Sequence, residues 1–193
     1  MIFTSMQDYL ARGRATLATG PVALVLVEDG VEVDTTMRHA VAAGFGTVLA
    51  LGPATLPLAD DLGAGVHHIV YDTAAAEATS RAVNAVIDAA PTGTWMHYCY
   101  NGEYLFHPFC ETRNVKELLA FHAEERRDAM LTYVIDVYAA DLDRHPGGVD
   151  RASAMLDGTG YYALAREAQG QRLDRQLDFF GGLRWRFEEH VPP

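Results

Sequence analysis

Residues 21 to 27 read Pro-Val-Ala-Leu-Val-Leu-Val, an unbroken apolar run that stops at Glu28-Asp29-Gly30. A strand with one wet face alternates apolar and polar side chains, so an unbroken run needs apolar partners on both faces. A parallel sheet covered by helices on each side supplies them. Thr47 to Leu51 repeats the pattern and stops at Gly52-Pro53, and His67 to Tyr71 is a shorter run that ends at Asp72. Between the first two lies a helical stretch, Thr35 to Ala43, with Asp34 ahead of it and Gly44 at the usual closing position. Ala74 to Ala90 spaces Ala, Val and Ile for one buried face, with Asp72 or Thr73 as its cap and Pro91-Thr92-Gly93 as its stop. Trp95 to Tyr100 then reads as a fourth strand. The order strand–helix–strand–strand–helix–strand predicts an α/β fold, a single mostly parallel sheet flanked by helices.

The second half is less regular. Asn114 with Glu117 forms a capping-box pair opening a helix that runs to about Arg126. Met130 to Tyr138 reads as a strand, Asp141 to Gly160 as a long loop, and Tyr161 to Arg166 and Leu183 to Phe187 as late strands. No linker, repeat or low-complexity tract divides the chain, which predicts one domain over residues 1–193.

Composition narrows the partners. With 15 basic against 26 acidic residues, the formal charge is −11. Such a chain is repelled by phosphate backbones and anionic bilayers unless its cations cluster, and only Arg126-Arg127 and Arg184/Arg186 approach that. Nucleic acid is therefore not an expected partner. No stretch has the length of a membrane span or the form of a signal peptide, and Cys99 and Cys110 form no disulfide framework. Both read as reduced thiols of a cytoplasmic protein.

In parallel α/β sheets, ligands sit at the carboxyl ends of the strands. Glu28-Asp29, Asp72, the segment after Tyr100 and the region around Asp136 occupy such ends here. The densest chemistry lies between His97 and Arg113, where a zinc reading would use His97, Cys99, His107 and Cys110. The spacings His97-x-Cys99 and His107-x-x-Cys110 fit structural zinc patterns only loosely.

Residues 22 to 105 resemble the first half of a GT-A glycosyltransferase of family 2. The match rests on Val25-Leu26-Val27-Glu28 closing the first strand, Asp72 closing the third, Arg81-Ala-Val-Asn84 on the following helix, and the lead-in Gly93-Thr94-Trp95. Tyr104 to Val137 and Arg175 to Arg186 are similar to a bacterial subgroup of these proteins. The resemblance implies a nucleotide-binding half at about 20–105 and an acceptor-side half at about 106–193, with further residues expected beyond Pro193. It implies a nucleotide-sugar donor, contacted by Val27, Glu28, Asp29, Asp72, Arg81 and Asn84, and a glycan or other acceptor.

At the position of the family's Asp-x-Asp motif this chain departs, reading Tyr100-Asn101-Gly102-Glu103-Tyr104-Leu105. Both aspartates are absent. Asn101 offers a neutral carbonyl and Glu103 one carboxylate, a weak set for Mg²⁺ or Mn²⁺. Transfer also needs the leaving diphosphate neutralised, with Arg81 the first candidate and Arg113 the second. It needs a carboxylate to take the acceptor's proton. Asp178, Asp136 and Glu188 or Glu189 are the candidates, with Asp178 favoured because Gly181-Gly182 follow closely and admit near approach. Three readings stand: a transferase with little or no metal dependence, a degenerate relative that binds nucleotide or glycan without catalysis, and an unrelated α/β metal or thiol protein.

Overall fold

Every residue from Val22 to Val27 is buried, and successive side chains enter opposite cores. Ala23, Val25 and Val27 join one cluster, whereas Val22 and Leu24 join the other. That division is the physical content of the unbroken apolar run. A computed structural model of the chain describes residues 1–130, 132, 134–156, 162–178 and 184–186. It divides into two compact units, Met1–Met130 and Leu131–Pro193.

The first unit holds a five-stranded sheet of β1 (Ile2–Phe3), β2 (Val22–Leu26), β3 (Thr47–Gly52), β4 (Val66–Val70) and β5 (Met96–Tyr100), in the order β1-β4-β3-β2-β5. All its pairings are parallel. The helices are α1 (Met6–Arg12), α2 (Val33–Ala43), α3 (Ala78–Ala89) and α4 (Val115–Glu124). Val33, Met37 and Ala40 of α2 and Val115 of α4 pack on one face of the sheet. Met6 and Tyr9 of α1 and Ala82, Val86 and Ala89 of α3 pack on the other. The α/β reading of the sequence therefore holds, and α1 and β1 add elements that the sequence analysis did not assign.

Helix ends follow local chemistry. Gly44 adopts φ +100° and its N–H reaches the Ala40 and Val41 carbonyls, closing α2 as expected. The start of α2 lies earlier than the sequence suggested, because Val33 is buried and docks the first turn. α3 starts later than expected. Asp72 accepts a bond from the Ala74 N–H (3.1 Å), forming a local turn, and the Thr73 hydroxyl donates to the Val27 carbonyl (2.9 Å). These bonds hold residues 72–74 to the end of β2 and keep them out of the helix. Asn114 and Glu117 complete the expected capping box at α4, with bonds of 3.1 and 3.0 Å.

The second unit is antiparallel. β6 (Val137–Tyr138) pairs with β7 (Met155–Leu156), and β8 (Tyr162–Ala168), β9 (Gln171–Asp178) and β10 (Arg184–Arg186) form a separate sheet in the order β10-β9-β8. Gln169 and Gly170, at φ +53° and +76°, make the two-residue turn between β8 and β9, the twist that a tight hairpin favours. Among the described residues of the strand expected from Met130 to Tyr138, only Val137–Tyr138 is strand, Leu131 and Tyr133 lying outside the described residues. Val134 and Ile135 are more than half exposed, so no sheet face receives these two side chains. Of the two late strands expected, Tyr162–Arg166 and Arg184–Arg186 are found, whereas Tyr161, Leu183 and Phe187 lie outside the described residues.

Candidate functional site

From β2 the chain steps outward through β3 to β4, then returns across the sheet to place β5 on the other side of β2. The order β4-β3-β2-β5 is that of a doubly wound sheet around its switch point. Its reversal puts a crevice at the carboxyl ends of β2 and β5, the usual ligand position in such sheets. Val27, Glu28 and Asp29 leave one side of this crevice, and Asn101 and Glu103 leave the other.

Asn101 joins the two sides. Its backbone N–H donates to the Leu26 carbonyl at 3.0 Å, which extends the β2–β5 ladder by one bond. Its side-chain oxygen accepts the Glu28 N–H at 2.9 Å. Its side-chain nitrogen donates to the Asp29 carboxylate at 2.6 Å and the Val31 carbonyl at 2.8 Å. Asp29 also accepts the Val31 N–H at 2.9 Å.

The rest of the turn is fastened to α2. Gly102 donates its N–H to the Thr36 hydroxyl at 2.9 Å, and that hydroxyl donates to the Glu32 carbonyl at 2.6 Å. The Tyr104 phenol donates to the Glu32 carboxylate at 3.0 Å and lies 2.8 Å from the Thr35 hydroxyl. Glu103 folds back and accepts the Tyr100 N–H at 2.7 Å. Thr35, Thr36, Glu32 and Tyr104 were not among the residues singled out from sequence. Their roles depend on α2 meeting a turn some seventy positions away, which no spacing reveals.

The divalent cation implied by the resemblance does not fit this arrangement. A hard cation needs several oxygen ligands. Here the Asn101 oxygen and one Glu103 oxygen already hold backbone N–H groups. Among the described residues, no group of three His, Cys, Asp or Glu side chains is placed to hold a metal. That statement covers the zinc reading of His97, Cys99, His107 and Cys110 as well. His97 instead stacks on Phe45 with ring centroids 5.8 Å apart, and Cys99 lies in the core beside α2. Burial, with a smaller effect of the Glu103 charge, pushes the Cys99 thiol up to about 12. Burial also lowers His97, aided by the nearby His39.

On the α3 side, a cleft of about 550 Å³ runs between the first turns of α3 and β5. Thr73, Thr79, Asn84, Tyr98 and Tyr100 line it, with Glu77 as its one carboxylate. The Tyr100 phenol and the Thr79 hydroxyl lie 2.7 Å apart across its floor. Tyr98 and Tyr100 share a face because strand side chains alternate. Asn84 belongs to this cleft. Arg81 sits a turn earlier on α3, exposed, and its side chain has no partner among the described residues.

The remaining candidates fall elsewhere. Asp72 is exposed at the end of β4, in its local turn. Arg113 pairs with Glu117 at 2.8 Å and so serves the start of α4. Asp136 is exposed and belongs to the second unit, as does Asp178, which ends β9 opposite Arg184 and Tyr162. Gly181, Gly182, Glu188 and Glu189 lie outside the described residues. No helix among the described residues is long and apolar enough to cross a membrane. No protein-family model, curated protein or solved structure matches this chain.

Proposed function

We propose that this chain is a glycosyltransferase-like protein that binds a nucleotide sugar at the carboxyl ends of β2 and β5 and passes the sugar to an acceptor. The observation that supports it is the strand order, whose reversal between β2 and β5 opens a crevice where Val27, Glu28 and Asp29 meet Asn101. In this reading the end of β2 receives the base, Asp72 flanks it, and Asn84 reaches the donor from α3. Arg81, exposed and without an ionic partner among the described residues, neutralises charge on the leaving diphosphate.

A second reading has its own support. The commitment of Asn101 and Glu103 to backbone N–H groups favours a relative that binds nucleotide or glycan without transferring it.

A thermal-shift series with UDP, GDP, UDP-glucose and GDP-mannose, each with Mn²⁺ and with EDTA, tests both. A ligand that binds only the folded state raises the melting temperature. The expected result is a shift from one nucleotide that Arg81→Ala abolishes. Release of free sugar from the shifting donor then separates transfer from binding alone. No shift from any of the four, at millimolar ligand, counts against transfer and against nucleotide binding, and leaves glycan binding as the surviving form of the second reading.

A further inference from the structure

Asn101 and Glu103 stand where the resemblance places cation ligands, yet their polar atoms serve the protein itself. The Asn101 amide matches its surroundings atom by atom. Its oxygen faces one N–H at 2.9 Å, and its nitrogen faces two oxygens at 2.6 and 2.8 Å. An aspartate here would set a carboxylate oxygen against the Asp29 carboxylate and the Val31 carbonyl, with no proton to share. The acid that a metal motif requires is therefore incompatible with the loop that Asn101 holds.

The neighbouring residues are fixed in the same way. Gly102 is tied to Thr36, Glu103 to the Tyr100 N–H, and Tyr104 to Glu32. A cation entering between Asn101 and Glu103 would compete with two backbone bonds, and those two side chains supply too few ligands to replace them.

We infer that Asn101 is a positioning residue that clasps residues 28–31 to the end of β5, and that this site takes its ligand without a divalent cation. The inference rests on the proposed function only for the nature of the ligand. The clasp holds the two sides of the crevice at a set separation through direct hydrogen bonds.

Mn²⁺ alone, titrated into the full chain and followed by the resonance signal of the free ion, tests the cation half without any nucleotide. Wild type, Glu103→Gln and Asn101→Asp are all expected to leave the signal unchanged at equimolar concentration. One-to-one Mn²⁺ uptake by wild type that Glu103→Gln removes would overturn the inference, as would Mn²⁺ affinity gained in Asn101→Asp.

Amide exchange in Asn101→Ser tests the clasp. Exchange at Glu28 and Val31 should accelerate while the amides of Leu24 and Leu49 stay protected. Unchanged exchange at Glu28 removes the positioning role. Where wild type binds a nucleotide, Asn101→Ser should weaken it about tenfold in EDTA, the scale of one lost hydrogen bond to a charged group. Equal affinity in the two proteins would also count against the role. If no nucleotide binds wild type, the proposed function fails, while the Mn²⁺ and exchange results still decide the inference.

Discussion

Cys99 offers the sharpest test of how burial controls chemistry beside this site. Its side chain lies in the core against α2, and its thiol is pushed from 9.0 up to about 12. Only the thiolate attacks a disulfide reagent. A rise of that size leaves about a thousandfold less thiolate at pH 8 than an unperturbed thiol would have. The perturbation is a disulfide reagent added at pH 8 to native protein, to denatured protein and to Cys110→Ala. Native wild type should show one fast equivalent from Cys110, which is partly exposed, and one much slower equivalent from Cys99. In Cys110→Ala only the slow phase should remain, and denaturant should make it fast. The same shift carries a stability consequence. A folded value raised above the unfolded one gives stability that is whole below pH 9.0 and is lost as pH rises toward about 12. Relative to Cys99→Ala, wild type should therefore lose about 2 kcal/mol between pH 8 and 10.5. Fast labelling of native Cys110→Ala, or a stability difference that ignores pH, would refute the reasoning and restore the reading of Cys99 as a reactive thiol.

Three further outcomes follow from the packing. Gly46→Ala would place its Cβ 2.4 Å from the Thr19 carbonyl oxygen and 3.0 Å from that of Gly20, both backbone atoms, so urea unfolding should show a loss of about 2–3 kcal/mol. Asn114→Ala removes one half of the capping box at α4 and should cost about 1 kcal/mol in the same assay, with no loss of nucleotide binding. His67 and His97 are both lowered chiefly by burial, and the ring Nδ1 of His67 has no hydrogen-bond partner among the described residues. Their contribution to stability is present above pH 6.5 and lost as pH falls through the lowered folded values. Ring-proton titrations should accordingly give midpoints below 6.5 for both, and a midpoint above 6.5 for either contradicts the burial argument.

The unbroken apolar runs at 22–27 and 47–51, the closing Gly44 and the Asn114–Glu117 pair were legible from residues alone. Each rests on a local rule: a buried strand must be apolar on both faces, a left-handed helix end favours glycine, and a capping box needs two side chains at fixed spacing. The parallel sheet and its helices follow from those rules. The strand Met130–Tyr138 shows the limit of such reading. An apolar run states that a strand is possible, but a sheet face must receive it, and Val134 and Ile135 of this run find none. The site was legible as a set of strand ends and no further. That Asn101 would clasp Asp29 and Val31, that Thr36 and Tyr104 would lock the same turn to α2, and that Arg113 would turn to Glu117 instead of a ligand are matters of three-dimensional approach. A hydrogen bond between residues seventy positions apart depends on how helix and sheet pack. Tertiary structure therefore decided what the turn from Asn101 to Tyr104 does, whereas the sequence alone determined where in the sheet it lies.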